Sequence, residues 1–351
     1  MVKVAGETFA KYPVIESDVR NKVGLNYKAL GNYKEAEEQF RLALELRTRV
    51  LGAEHEKTLS SMNNLAATFR AQGKYPDAEK LHRQTLEIRR RVLGKDHPDT
   101  LSSMNNLANA LSAEDKYAEA ERLLREVLPS MRHVLGKTHE DTLSAMNNLV
   151  AVLGAQRKYP EASKLAGETI ELMKKAFGQN HPSTLGARHN LACLLYAQGE
   201  HADAERLHRD VLAARKVALG VEHPDTLTST KNLARVLVTE GENAEAEKML
   251  LEAIPVMKRI LGKDDAGTLN AIGSLGMAYI RQSKNAEAEK LLREVIPDME
   301  RVLGNSSPAT LNALKCLIAA LEALGKKGEA DELRRTLPAR PDTNAVDPMR
   351  T

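Results

Sequence analysis

Tryptophan is absent from this chain of 351 residues, and aromatics together make up 3% of it. Alanine, leucine, glutamate, lysine and arginine dominate instead, a composition that favours helix. Cysteine is confined to Cys193 and Cys316, too few for a disulfide framework, so reduced thiols and a cytoplasmic location are expected. No run approaches the ~18 apolar residues of a membrane span, and Met1–Gly6 opens no apolar stretch like that of a secretory signal. No membrane partner is therefore expected. The charge is nearly balanced, 51 basic against 48 acidic residues for a net +3. That is not the basic footprint of a nucleic-acid binder, and no nucleic-acid partner is expected. There is no Gly-rich phosphate loop after a strand, no Gly-x-Ser-x-Gly and no His-Glu-x-x-His. The expectation is a protein that is not an enzyme and carries no cofactor or metal.

What the chain does have is a period. Thr100-Leu-Ser-Ser-Met-Asn-Asn-Leu-Ala-Asn109 recurs almost unchanged from Thr58 and from Thr142, with worn copies from Thr184, Thr226, Thr268 and Thr310, always 42 residues apart. A fixed period of this size is one supersecondary unit stacked many times. Within a unit, Leu101, Met104, Leu107, Ala108 and Leu111 form one apolar stripe at helical spacing. A turn at Asp115-Lys116 leads to a second stripe running from Tyr117 and Ala120 to Val134 and Leu135. Glycines at 52, 94, 136, 178, 220, 262 and 304 read as left-handed stops of the second helix. Pro98, Pro182, Pro224 and Pro308 open the first helix, where a missing N–H costs nothing. An alanine never fails at Ala36, Ala78, Ala120, Ala162, Ala204, Ala246, Ala288 and Ala330, and reads as the close contact within each pair.

The expected organisation is a non-repeat segment over 1–16, an array over 17–337 and a disordered tail over 338–351, whose three prolines and lack of apolar periodicity give it no core. His55, His97, His139, His181 and His223 share one register. Equivalent positions on stacked helices lie ~8–10 Å apart, too far for a common metal ion, so these residues read as helix caps or loop anchors. Cys193 and Cys316 have no Cys-x-x-Cys companion, and neither is expected to be a nucleophile.

The motif Leu93-Gly-Lys-Asp-His-Pro-Asp-Thr-Leu101, then Asn105-Asn-Leu-Ala108, then Lys116-Tyr-Ala-Glu-Ala-Glu121 resembles the 42-residue tetratricopeptide repeats of kinesin light chains and nephrocystin-3-like proteins. The resemblance covers 17–337. It implies an all-α fold, a right-handed superhelical solenoid of about eight stacked antiparallel helix pairs. It also implies a scaffold or adaptor that holds a protein or peptide segment in a concave groove. A second reading is the sensor or regulatory repeat region of a larger signalling ATPase or motor adaptor. The sequence holds no heptad coiled coil ahead of the repeats and no Walker motif, so association with a motor heavy chain is not expected.

In that family the groove is lined by the face of the first helix opposite its apolar stripe. Here this face carries Asn63 and Asn64, then Asn105, Asn106 and Asn109, then Asn147 and Asn148. Asn64, Asn106, Asn148, Asn190 and Asn232 form the longest file, open to either ligand binding or repeat-to-repeat bonding. Asn63, Asn105 and Asn147 vary more downstream and read as ligand contacts. Asn147 is succeeded at its register by His189, Lys231, Gly273 and Lys315, while Arg188, Arg235 and Arg281 add positive charge. The face passes from neutral amide to basic, which suits an acidic segment.

Overall fold

The computed structural model describes residues 12–337, and every regular element among them is α-helical. The tail 338–351 and the first eleven residues lie outside the described range. Sixteen helices follow one another as α1 (Pro13–Ala29), α2 (Tyr33–Leu51), α3 (Glu56–Ala71), α4 (Tyr75–Leu93), α5 (Pro98–Ala113), α6 (Tyr117–Val134), α7 (Glu140–Ala155), α8 (Tyr159–Phe177), α9 (Pro182–Gln198), α10 (His201–Leu219), α11 (Pro224–Glu240), α12 (Asn243–Ile260), α13 (Ala266–Arg281), α14 (Asn285–Leu303), α15 (Pro308–Ala323) and α16 (Lys327–Thr336). They make eight pairs, each an odd-numbered helix followed by an even one. No helix among the described residues is long and apolar enough to cross a membrane.

The chain forms two compact units, residues 1–156 with α1–α7 and residues 157–351 with α8–α16. In the first, α1, α3, α5 and α7 touch in succession; in the second, α9, α11, α13 and α15 do the same. No two even helices touch among the described residues. Each unit therefore gathers its odd helices into one close-spaced layer, with the even helices splayed outside it.

Local chemistry explains why the elements begin and end where they do. The imidazole Nδ1 of His55, His97, His139, His181 and His223 accepts the backbone N–H two residues on at 3.1–3.2 Å. Each is the N-cap of an odd helix. Asp265 and Ser307 perform the same task by accepting from Thr268 and Thr310. The repeated threonine is buried at every register from Thr58 to Thr310. Thr58 Oγ1 donates to the Gly52 carbonyl at 2.8 Å, and Thr184 Oγ1 to that of Gly178 at 2.9 Å, tying the helix start to the preceding loop.

Those loop glycines differ from the left-handed stop expected of them. Gly52 has φ 94° and ψ 161°, and Gly94, Gly178 and Gly220 are alike. This is the extended mirror region that only glycine enters readily. The left-handed conformation falls instead at the turn inside each pair, at Gly31, Gly73, Gly199, Gly241 and Gly325, and at Asp115, Arg157 and Ser283. There a six-residue bond closes the odd helix, as from Lys116 N–H to the Leu111 carbonyl at 2.9 Å.

The invariant alanines are fully buried from Ala36 to Ala288, with Ala330 nearly so. Four residues after Ala36 and after Ala288 stand Phe40 and Leu292, and each packs against a glycine. A Cβ on Gly24 would lie 2.8 Å from the Phe40 ring, and one on Gly276 would lie 2.6 Å from Leu292 Cδ2. Lysines at the turns reach back to glutamates of the preceding pair, as Lys74 to Glu37 and Lys116 to Glu79. The lysine of each pair is substantially exposed, so such pairs contribute little individually.

Candidate functional site

The odd helices present the asparagine registers, and hydrogen bonding within the stack claims most of them. Asn64 Nδ2 donates to Asn21 Oδ1 at 3.1 Å, Asn106 to Asn63 at 3.0 Å and Asn148 to Asn105 at 2.9 Å. Each link joins the second amide of one repeat to the first amide of the repeat before it. A primary amide suits this because it carries donor and acceptor on one head. In the second unit Asn232 Nδ2 meets His189 Nε2 at 3.2 Å, so a histidine stands where asparagine had accepted. Asn147 on α7 and Asn190 on α9 occupy the same two registers. Asn63 and Asn105, expected to meet a ligand, thus act as acceptors in a ladder, and Asn105 is buried. Asn109 stays half-buried on α5.

Lys231 ends the ladder. An ammonium cannot accept, and the donor register opposite it holds Ser274, whose hydroxyl turns back to the Asn270 carbonyl at 3.0 Å. The stack leaves a cavity of about 240 Å³ here, among α9, α11, α13, α14 and α15. Lys231, Asn232 and Arg235 line it from α11; Tyr196, Asn270, Ser274 and Asn312 add polar groups, and Val238, Met277 and Met299 an apolar wall. Gly273 contributes no side chain, which keeps the space open. Lys231 is 4% exposed, and no hydrogen bond or ion pair reaches it among the described residues. Burial, with Arg235 nearby, pushes its ammonium down to about 8. Arg235 lies over the Tyr196 ring, 4.7 Å from its centroid, and the Tyr196 hydroxyl meets Thr239 Oγ1 at 3.0 Å.

Three predicted basic residues stand apart from this cavity. Arg188 is drawn to Asp210 at 3.4 Å, and Arg281 and Lys315 are exposed on α13 and α15. The sequence alone does not single out Tyr196, Ser274, Met299 or Asn312. They come from three different repeats, and the only signal for them is the loss of asparagine after Lys231.

Beside the cavity lies a buried polar knot. Cys193 Sγ is 3.7 Å from His189 Nε2, and Asn232 Nδ2 reaches both atoms, at 3.7 and 3.2 Å. The residue types are those of a cysteine nucleophile with its base and orienting amide, but the geometry is not. Cysteine and asparagine compete for one ring nitrogen, whereas a relay needs both. Burial pushes the Cys193 thiol up, away from the thiolate. Burial, followed by the nearby His208, Arg215, Lys231 and Arg235, holds His189 well below the ordinary imidazole range. His208 packs edge-on to it with ring centroids 5.3 Å apart, and neither of its ring nitrogens has a hydrogen-bond partner. Among the described residues no group of three or more His, Cys, Asp or Glu could hold a metal ion.

Comparisons with known proteins agree with this architecture. No curated protein matches the chain. Among solved structures, a kinesin light chain-like protein of Podosopora anserina with nearly identical TPR-like repeats is 27% identical over 58% of this chain and 96% of its own, with a TM-score of 0.49. The quorum sensor NprR from B. thuringiensis is 15% identical and superposes with a TM-score of 0.64, covering 90% of this chain and 86% of that one. A signal transduction ATPase with a tetratricopeptide repeat sensor from Pyrococcus horikoshii is 14% identical, with a TM-score of 0.58 over 92% of this chain and 46% of its own. The sequence profile of the tetratricopeptide repeat matches residues 16–91, 59–133, 113–175, 141–216, 195–259 and 225–301. With that profile spanning most of the array, the chain belongs to the tetratricopeptide repeat family.

Proposed function

We propose that the protein is a non-enzymatic interaction scaffold, kinesin-light-chain-like in its repeats, that holds an acidic peptide segment of a partner protein against the odd helices of its second unit. The observation that carries this reading is the change of chemistry after the ladder. Arg281 and Lys315 are exposed and make no ion pair among the described residues. Uncompensated cations on a rigid, close-spaced helix layer are preorganised for carboxylates, which lowers the ordering cost of binding. Membership of a family of repeat scaffolds supports the binding role.

The test uses fluorescence anisotropy with labelled glutamate-rich and lysine-rich peptides of equal length. Glutamate-rich peptides should bind in a salt-sensitive way and lysine-rich ones should not. The double variant Arg281→Glu, Lys315→Glu exchanges only exposed side chains, so helicity should be unchanged while affinity falls several-fold. Equal binding of both peptides, or full affinity in the variant, would sink the reading.

A further inference from the structure

Lys231 is 4% exposed and lines the cavity ringed by α9, α11, α13, α14 and α15, yet no hydrogen bond or ion pair reaches its amine among the described residues. No aspartate, glutamate or histidine shares that lining. The amine sits against the start of α13. A Cβ built on Gly267, the second residue of α13, would stand 3.8 Å from Lys231 Nζ, and Gly267 lies one turn before Asn270 of the cavity wall. The start of a helix presents backbone N–H donors and positive potential, which oppose an ammonium. A neutral amine keeps a lone pair that can accept from such donors. Burial, then the Arg235 guanidinium stacked on Tyr196, act in the same direction. Cys193 and Asp265 act against them. Burial, however, pushes the Cys193 thiol up and away from its charged form. Asp265 Oδ1 already accepts from Thr268 N–H at 2.9 Å and from Thr268 Oγ1 at 3.3 Å. An amine that is buried, unpaired and set against positive charge has far more of its uncharged, nucleophilic form at neutral pH than a solvated lysine has.

We propose that Lys231 captures a small apolar aldehyde in this cavity as a reversible imine. The ligand class follows from the amine. A lone pair on nitrogen seeks an electrophilic carbon, and an uncharged group gives an anion nothing to pair with. Among carbonyl compounds an aldehyde is the most electrophilic and the least crowded at carbon. Its organic group lies against Val238, Met277 and Met299, and a volume of about 240 Å³ admits one of ring size. The Nζ lone pair forms the new bond to the carbonyl carbon, and the electron pair of the C=O bond moves to oxygen, which takes up a proton. The carbinolamine then loses its oxygen together with the two amine hydrogens as one water, leaving the C=N bond. Addition of water reverses the step. With no carboxylate or imidazole in the lining to carry the imine to a second reaction, the site holds its ligand rather than converting it. The inference stands on the cavity alone and requires no peptide partner.

The experiment incubates the full chain with benzaldehyde and sodium cyanoborohydride at neutral pH and locates the reduced adducts by peptide mass spectrometry. Lys231 should be modified about tenfold or more faster than the exposed Lys315 of the same chain. Gly273→Leu fills the cavity from α13 while keeping the amine. It should slow modification of Lys231 about tenfold or more and leave that of Lys315 unchanged. Helicity and the unfolding midpoint establish that the variant folds, and the comparison of the two lysines in the wild-type chain needs no variant. Trace labelling with acetic anhydride supplies a second measurement: the rate at Lys231 should rise through a pH of about 8 and then level off. Equal modification of Lys231 and Lys315, an undiminished rate in the folded Gly273→Leu variant, or a labelling rate still rising near a pH of about 10 would each overturn the proposal. So would protection of Lys231 by benzoate with no adduct trapped, which would make the cavity an anion site. Acidic-peptide binding that depends on Arg281 and Lys315 is a separate result, so failure of one reading leaves the other standing.

Discussion

Arg215 Nη1 donates to Ser229 Oγ at 2.8 Å inside the second unit, and the same pair is built twice in the first, Arg47 to Ser61 at 2.7 Å and Arg89 to Ser103 at 2.8 Å. Each guanidinium also reaches the carbonyl ten residues on, as Arg215 does to Asp225 at 2.9 Å. Where the arginine gives way to Met131, Met173, Met257 or Met299, the serine gives way to Ala145, Ala187, Ala271 or Ala313. Two side-chain combinations therefore solve one packing problem, one polar and bonded, the other apolar.

Mixing the two should be costly. Ser229→Ala leaves the buried Arg215 with one acceptor fewer and should cost about 1–3 kcal/mol. Arg215→Met together with Ser229→Ala restores a combination native to four other registers. It should recover the wild-type urea midpoint or exceed it, because Arg215 Nε has no acceptor even in the native fold. Additive losses in the double variant would show that the two positions are not coupled.

His208 should make the second unit sensitive to mild acid. Burial, then the Arg235 and Arg215 charges, lower its ring from the ordinary 6.5 to about 3. Between those values the unfolded chain takes a proton that the native ring refuses. Stability tied to this ring is thus complete above pH 6.5 and is lost as pH falls toward 3. At pH 5 the loss is about 2 kcal/mol. His208→Leu puts in the residue found at Leu124, Leu250 and Leu292. Denaturant unfolding at pH 7 and pH 5 should show a smaller difference in the variant. Carboxylates such as Glu79, already held down to about 2, add little over that interval. An unchanged difference would mean that His208 is not the group responsible.

Gly276 should resist even the smallest enlargement. Alanine has the higher helix propensity, by ~1 kcal/mol, yet its Cβ would come within 2.6 Å of Leu292 Cδ2 and 3.0 Å of Cγ. Overpacking of this kind costs ~1–3 kcal/mol, so Gly276→Ala should lower the thermal midpoint. A raised midpoint would show that Leu292 turns aside freely.

Most of the architecture can be read from the period alone. Thr100–Asn109 and its copies place every odd helix after α1, and Pro98, Pro182, Pro224 and Pro308 are the first residues of α5, α9, α11 and α15. Periodicity orders positions within a repeat but does not say which residue of the next repeat they meet. For that reason the pattern sets Asn63 and Asn105 on one polar face, and only the fold shows that their Oδ1 atoms accept from Asn106 and Asn148 of the next repeat. The loop glycines show a second limit. A helix end with glycine after it suggests the left-handed stop, and only backbone angles distinguish it from the mirror-extended form at Gly52. The cavity is hidden for a third reason: its wall joins Tyr196 to Asn312 across four repeats, and its volume depends on what Gly273 lacks.

The amide ladder has a direction. Each of these links takes its acceptor from the earlier repeat and its donor from the later one, so in the first unit the repeats that begin with α3 and α5 each have a socket on one side and a plug on the other. Excising one whole period from the first unit would rejoin a plug to an equivalent socket, and duplicating one would insert a matched link. Copy number in that region is free to drift without breaking a single amide contact. At Lys231 the socket is gone, and the repeats beyond it are not interchangeable with those before it. The first unit is thus extensible, and changes in length would fall there while the repeats from Lys231 on keep their chemistry.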